Sequence, residues 1–196
     1  SIKSNKYITL DMNSIINHIL ISMPHMNDDL FGNSVIFMCE HDKKGAMGLI
    51  INKCFHKNDL KELKDNMNKE SSEILNSVSD VYLGGPVLVD RGILLHSEKI
   101  YSEKSIKISD DFFISSDKEI LLDMAKNKKS KKSRLFLGHS GWSSGQLESE
   151  IQNGDWLVQE TSPDFIFNIP VKQMWGLSIQ SFGLDPLGAT SFSGQA

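Results

Sequence analysis

Two short apolar runs joined by a turn set the first constraint on this chain. Val35-Ile36-Phe37-Met38-Cys39 and Met47-Gly48-Leu49-Ile50-Ile51 flank Asp42-Lys43-Lys44-Gly45. β-Branched and aromatic runs on either side of turn residues read as a β-hairpin. Both faces of both strands are apolar, so the alternation that leaves one face in water is missing. The hairpin is therefore expected to be buried on both sides. Gly48 inside its second strand marks a bulge or the close approach of another backbone.

The rest of the chain interleaves strands and helices irregularly. A stripe of Leu60, Leu63 and Met67 predicts a helix over 59–67, and the polar stretch 64–73 overlapping its end reads as loop. Val81-Tyr82-Leu83 is a short strand stopped by the sharp turn Gly84-Gly85-Pro86. Residues 87–89 and 92–95 read as a second hairpin around Asp90-Arg91-Gly92, with the glycine left-handed. Residues 105–109 and 112–115 follow as strands. Ser116 and Glu119 have capping-box spacing for a helix with Ile120, Leu121 and Met124 turned inward.

The last third repeats the pattern. Leu135-Phe136-Leu137 is a strand, and 144–153 a helix ending at Gly154. Ser162-Pro163 starts a turn or short helix, and Pro170 opens a final helix. That helix carries Val171, Met174, Trp175, Ser178, Ile179 and Phe182 on one stripe and stops at Gly183. Gly176 within it implies tight packing, because a mid-helix glycine otherwise only costs stability. With no internal repeat and no linker, these elements predict one α+β domain over residues 1–196, built on a mixed, mostly antiparallel sheet.

Composition narrows the function classes. An apolar share of 39% with 23% charged residues suits a globular chain and not a disordered one. The net charge of −4 argues against direct nucleic-acid binding and against an anionic membrane surface, both of which call for a cationic face. Two cysteines, Cys39 and Cys54, make neither a disulfide framework nor a zinc site. A reducing cytoplasm is the simplest setting. The apolar run 19–23 is too short for a signal core, and none is long enough to span a membrane.

The stretch from 135 to 151, LFLGHSGWSSGQLESEI, carries the most chemistry. It reads as a strand, a glycine corner holding Trp142, and a helix start where Ser143 and Gln146 have capping-box spacing. Free N–H groups and the helix dipole make such a start a place for an anion.

Four blocks together resemble the YqgE/AlgH family of small bacterial proteins: HILISMP at 18–24, SVIFMCEHDKKGAMGLIINK at 34–53, YLGGPVLVDRGILLHS at 82–97 and LGHSGWSSGQLESEIQNGDWL at 137–157. Their order and spacing fit the family across nearly the whole chain. The resemblance implies a single α/β domain whose sheet curls into a partial barrel with flanking helices. It also implies a bacterial cytoplasmic setting and a transcriptional-regulator label, but no particular reaction and no cofactor. Three positions depart from the family pattern: His139 stands where Tyr is usual, Cys54 where Pro is usual, and Gly194-Gln195-Ala196 where the tail is often Gly-His-Ala.

Several candidate chemistries can be weighed on residues alone. Gly138-His139-Ser140-Gly141-Trp142 evokes a nucleophile elbow at Ser140, yet Trp142 replaces the second glycine and no His follows His139. Cys39 and His41 alternate onto one strand face with Glu40 on the other, a start for a metal site that lacks further ligands at short spacing. No catalytic residue and no metal is assigned. The basic run KNKKSKKSR at 126–134 lacks interleaved aromatics and reads as a solvated loop. The leading expectation is a non-enzymatic regulatory protein binding a small anionic ligand or a protein partner. Its proposed site is the helix start at Gly141, Trp142, Ser143 and Ser144, walled by Glu40, His41 and Arg91. A DNA-binding regulator and a serine hydrolase at Ser140 are the alternatives.

Overall fold

The hairpin forms as expected. In the computed structural model, which describes residues 15–97, 103–126 and 132–187, β2 (Val35–Asp42) and β3 (Gly45–Ile50) pair antiparallel across Lys43-Lys44. Before them β1 (His18–Ser22) adds to the other side of β2. Two helices follow, α1 (Lys57–Asn66) and α2 (Lys69–Ser77), then β4 (Val81–Leu83) and β5 (Val87–His96). β6 (Ile106–Lys107), β7 (Phe113–Ser115) and α3 (Lys118–Lys126) lead to the long β8 (Ser133–Ser143). The chain closes with α4 (Gln146–Gln152), β9 (Trp156–Glu160), α5 (Pro163–Asn168) and α6 (Val171–Ser181). The strand order is β6-β7-β5-β8-β3-β2-β1-β9, antiparallel throughout, with β4 added parallel to β8. The sheet curls into a partial barrel with, among the described residues, six helices around it, an α+β fold.

Alternation along these strands sorts the core. One face carries Ile19, Phe37, Leu49, Tyr82, Ile93 and Phe136, covered by Ile166 and Phe167 of α5 and Met174, Trp175 and Ile179 of α6. The opposite face is covered in two places. Over β1–β3, Leu20, Ile36, Met38 and Ile50 meet Trp142, Trp156 and Leu147 of α4. Over β4, β5 and β8, Val81, Leu94, Leu135 and Leu137 meet Ile74 and Leu75 of α2 and Leu121 of α3. The hairpin is thus buried on both faces. Gly48 allows that closeness: a Cβ there would sit 2.8 Å from the Phe37 carbonyl oxygen and 2.7 Å from Ile36 Cγ2.

Five local expectations are corrected. Residues 135–143 make no strand-to-helix corner. β8 runs straight through them, bent at Gly138 with φ +72°, and helix α4 starts only at Gln146. Residues 87–96 make no hairpin. They form one strand, β5, with a wide bulge in which residues 88–91 oppose Gly138 alone. The polar stretch 64–73 is not loop throughout, because Asn68 accepts a hydrogen bond from Ser71 N–H and caps α2. The cap of α3 is Asp117, not Ser116: its carboxylate accepts from Glu119 N–H at 3.1 Å and Ile120 N–H at 3.4 Å. In α6, Gly176 has nothing within 4 Å of where a Cβ would lie, so tight packing does not explain it. The stop at Gly183 forms as read, with φ +74° and hydrogen bonds from Gly183 N–H to Gln180 and from Leu184 N–H to Ile179.

Candidate functional site

The seven candidate residues fall in three places. His41, Trp142, Ser143 and Ser144 gather around the start of α4. Ala46 of β3 pairs with both His41 and Trp142, so these side chains lie across three strands on the face that α4 covers. His41 is buried, and its Nε2 meets Glu148 Oε1 at 2.5 Å, which ties β2 to α4. Half of the expected capping box forms: Gln146 Oε1 accepts from Ser143 N–H at 3.0 Å and from the Ser143 hydroxyl at 3.2 Å. The helix cap itself is Gly145, in the left-handed conformation. The Ser144 hydroxyl donates to the Lys43 carbonyl at 2.6 Å and fastens the β2–β3 loop. The polar groups at this helix start are therefore engaged in holding α4 on the sheet, and Glu148 places a carboxylate in its first turn.

Glu40 and Gly141 lie on the other face. A bulge at Cys39 puts Cys39 and Glu40 on the same side, so Glu40 pairs with Met47 and His41 turns away from Cys39. This corrects the expectation that Cys39 and His41 share a face. Gly141 also pairs with Met47, and Val87 packs 3.9 Å from where its Cβ would be. Nearby His139 is held below its ordinary pKa by burial, with Glu40 pulling the other way. Burial pushes the pKa of the Cys39 thiol up, with Glu40 adding to it, which disfavours the thiolate. Cys54 is exposed, and burial of its sulfur likewise raises its pKa.

Arg91 stands apart from both groups. It sits in the β5 bulge at the rim of a cavity of about 440 Å³, which none of the other six candidates lines. The cavity lies between the sheet and helices α2 and α3. Its floor is apolar: Ile74, Leu75, Leu121, Leu135 and Leu137. Its polar lining is Ser71, Asp90, Arg91, Ser116 and Lys118. Lys118 pairs with Glu70 at 2.7 Å, whereas Arg91 has no hydrogen-bond or ion-pair partner among the described residues. Sequence reading missed Lys118 and the whole apolar floor. The floor comes from α2, α3 and β8, far apart in the chain, and each of its residues looks like ordinary core by itself.

The alternative readings meet specific geometry. Ser140 is fully buried and its hydroxyl donates to the Gly84 carbonyl at 3.1 Å, on a continuing strand and not an elbow. Lysines 128, 129 and 131 of the basic run lie outside the described residues, as does the 194–196 tail. Arg134 turns inward, its guanidinium 5.1 Å from the Tyr82 ring centroid and donating to the Phe167 carbonyl at 3.3 Å. Among the described residues no three His, Cys, Asp or Glu side chains cluster to hold a metal, and no helix is long and apolar enough to cross a membrane.

Known proteins resemble this chain in sequence and fold. The AlgH-like family model (DUF179) matches residues 19–187. A UPF0301 protein of Vibrio parahaemolyticus is 37% identical over 188 residues, covering 93% of this chain and 100% of the relative. A UPF0301 protein of Buchnera aphidicola is 41% identical over 170 residues, covering 86% and 90%. The solution structure of the AlgH protein from Pseudomonas aeruginosa matches with a TM-score of 0.69 at 29% identity, covering 93% of this chain and 94% of that one. A crystal structure of a protein from Corynebacterium diphtheriae matches in fold with a TM-score of 0.61 at 21% identity, covering 84% and 85%. Because the family model spans the strands and helices that build both the curled sheet and the cavity, the chain belongs to the AlgH-like family.

Proposed function

We propose that this protein is a non-enzymatic, cytoplasmic regulatory protein that binds a small anionic ligand, and that the ligand site is the cavity at Arg91 and not the start of α4. The observation that carries this reading is an unpartnered guanidinium at the mouth of an apolar cavity of about 440 Å³. Pockets of a few hundred Å³ with an apolar lining and a few polar groups are typical of small-molecule sites. A guanidinium is always charged and grips a carboxylate or phosphate with two parallel hydrogen bonds. Free thiols at Cys39 and Cys54 and bacterial relatives support the cytoplasmic setting.

The bulge suggests how binding is passed on. Arg91 shares it with Leu88 and Val89, which with the adjoining Val87 are 50%, 39% and 40% exposed. Leu88 holds φ +49°, a conformation that costs a leucine about 1–2 kcal/mol. Such strain persists at sites that move or bind. In this reading, ligand at Arg91 sets the posture of an apolar strip that meets a protein partner.

The test is the unfolding midpoint against a panel of carboxylates, phosphates and nucleotides. A ligand at ~100 times its dissociation constant adds about 2.7 kcal/mol of stability. At least one anion should raise the midpoint in the parent and not in Arg91→Ala. A flat panel, or an equal rise in the variant, would refute the site.

A further inference from the structure

We infer that the ligand class is an amphipathic monoanion: a single carboxylate on an apolar chain, with the carboxylate on Arg91 and the chain against α2, α3 and β8. This rests on the anion reading above and narrows it. Two features of the cavity fix the class, one at the rim and one on the floor.

The rim has one cation to offer and little tolerance for a second negative charge. Arg91 has no partner among the described residues, whereas Lys118 is paired with Glu70 at 2.7 Å. Asp90 lines the same rim. The first turn of α3 already holds the Asp117 carboxylate, which accepts from Glu119 N–H and Ile120 N–H. A phosphate dianion or a nucleotide would bring a second negative charge beside Asp90 with no unpaired cation of the rim left to meet it, and like charges at short range repel. A lone carboxylate matches the planar fork of one arginine.

Away from the charged rim, the Ser71 hydroxyl is the one polar group of the lining that a polar ligand body could use besides Ser116. Met67, Ile74, Leu75, Leu121, Leu135 and Leu137 line the floor. A sugar or a base buried there would give up many hydrogen bonds to water for at most two serine hydroxyls, whereas an alkyl or aryl chain loses nothing and gains burial. Gly92 opens the space. Its missing Cβ would lie 3.5 Å from Leu121 Cδ1 and 3.5 Å from Leu135 Cδ1, ordinary contact distances, and its φ is not left-handed. A larger side chain at 92 therefore points into the cavity without backbone strain and occupies the chain's place.

The experiment is titration calorimetry with decanoate, decanol, decyl phosphate and inorganic phosphate, below their micellar range, on the parent, Arg91→Ala and Gly92→Met. Decanoate should bind the parent. Decanol, which lacks the charge, and decyl phosphate, which carries too much, should bind about tenfold or more weakly. Arg91→Ala should weaken decanoate by a similar factor. Gly92→Met should abolish decanoate binding while its unfolding midpoint stays at or above that of the parent, which shows that the fold is intact. Decanoate binding unchanged in Gly92→Met, or decyl phosphate binding tighter than decanoate, overturns the inference. Inorganic phosphate or decyl phosphate bound through Arg91 yet indifferent to Gly92→Met keeps the anion site and overturns the amphiphile. If none of the four binds in an Arg91-dependent way while another anion of the wider panel does, the class is wrong. If no anion does, both readings fall.

Discussion

Single residues decide whether the two halves of the sheet can join. Gly138 is the hinge of β8: φ is +72°, and a Cβ would lie 2.3 Å from the Gly85 carbonyl oxygen. Gly138→Ala combines a left-handed alanine with a backbone clash, so it should cost at least about 2 kcal/mol by denaturant midpoint. Gly145→Ala has a similar φ of +76° but open space around it, and should cost only about 1 kcal/mol. Equal losses would mean that the Gly85 contact is not what holds the bend. Glu150 of α4 offers a pH test. Burial holds its carboxyl above the usual range, Asp155 adds to that, and the indole N–H groups of Trp156 and Trp142 pull the other way. The folded state then keeps this proton after the unfolded state has lost it. Stability should fall as pH rises from the ordinary carboxylate value through the raised one. Glu150→Gln should remove that fall in a series of midpoints between about pH 4 and pH 7. A slope identical to the parent's would contradict it.

At the scale of elements, the bulge in β5 and the glycine in α6 make opposite kinds of claim. If Leu88 stores strain at φ +49°, Leu88→Asn should be neutral or stabilising by up to about 1 kcal/mol, since asparagine tolerates that conformation. A loss above about 1 kcal/mol would place Leu88 in packing instead. Gly176→Ala should stabilise by about 1 kcal/mol, because α6 gains helix propensity and meets no neighbour. The same two elements show what was legible in sequence. The α6 stripe was readable because its buried residues Met174, Trp175, Ser178 and Ile179 keep helical spacing. The β2–β3 hairpin was readable because turn chemistry and apolar runs agree there. The β5 bulge was not, because Asp90-Arg91-Gly92 is locally good hairpin chemistry and only the distant Gly138 keeps the strand going. Helix α2 hid for a similar reason: it buries only Ile74 and Leu75, so its stripe is thin. The cap of α3 moved by one residue because Asp117 outcompetes Ser116 for the same donors.

Across the whole molecule, one curled sheet separates three apolar clusters, and β8 reaches all of them. Phe136 joins the cluster under α5 and α6, Leu135 and Leu137 join the one under α2 and α3, and Trp142 joins the one under α4. The alternation resets at Gly138, which is why this strand serves both halves. The candidate site was less legible than the fold for the same reason. Residues two apart on one strand, such as Cys39 and His41, part to opposite faces at a bulge, while the cavity gathers residues from 67 to 137. Arg91 alone carried a readable hint, as a fork donor beside a glycine. The cluster at α4 is a fastening, with Ser144, His41 and Gln146 each committed to a partner within the chain.

That division of labour can be read directly from amide chemical shifts during a titration with decanoate. The account predicts concentration-dependent shifts at Gly92, Leu121 and Leu135, around the cavity, and none at Trp142, Ser143 or Ser144. Shifts confined to residues 141–146 would contradict it and return the site to the start of α4. No shifts at either place would remove the cavity as a ligand site.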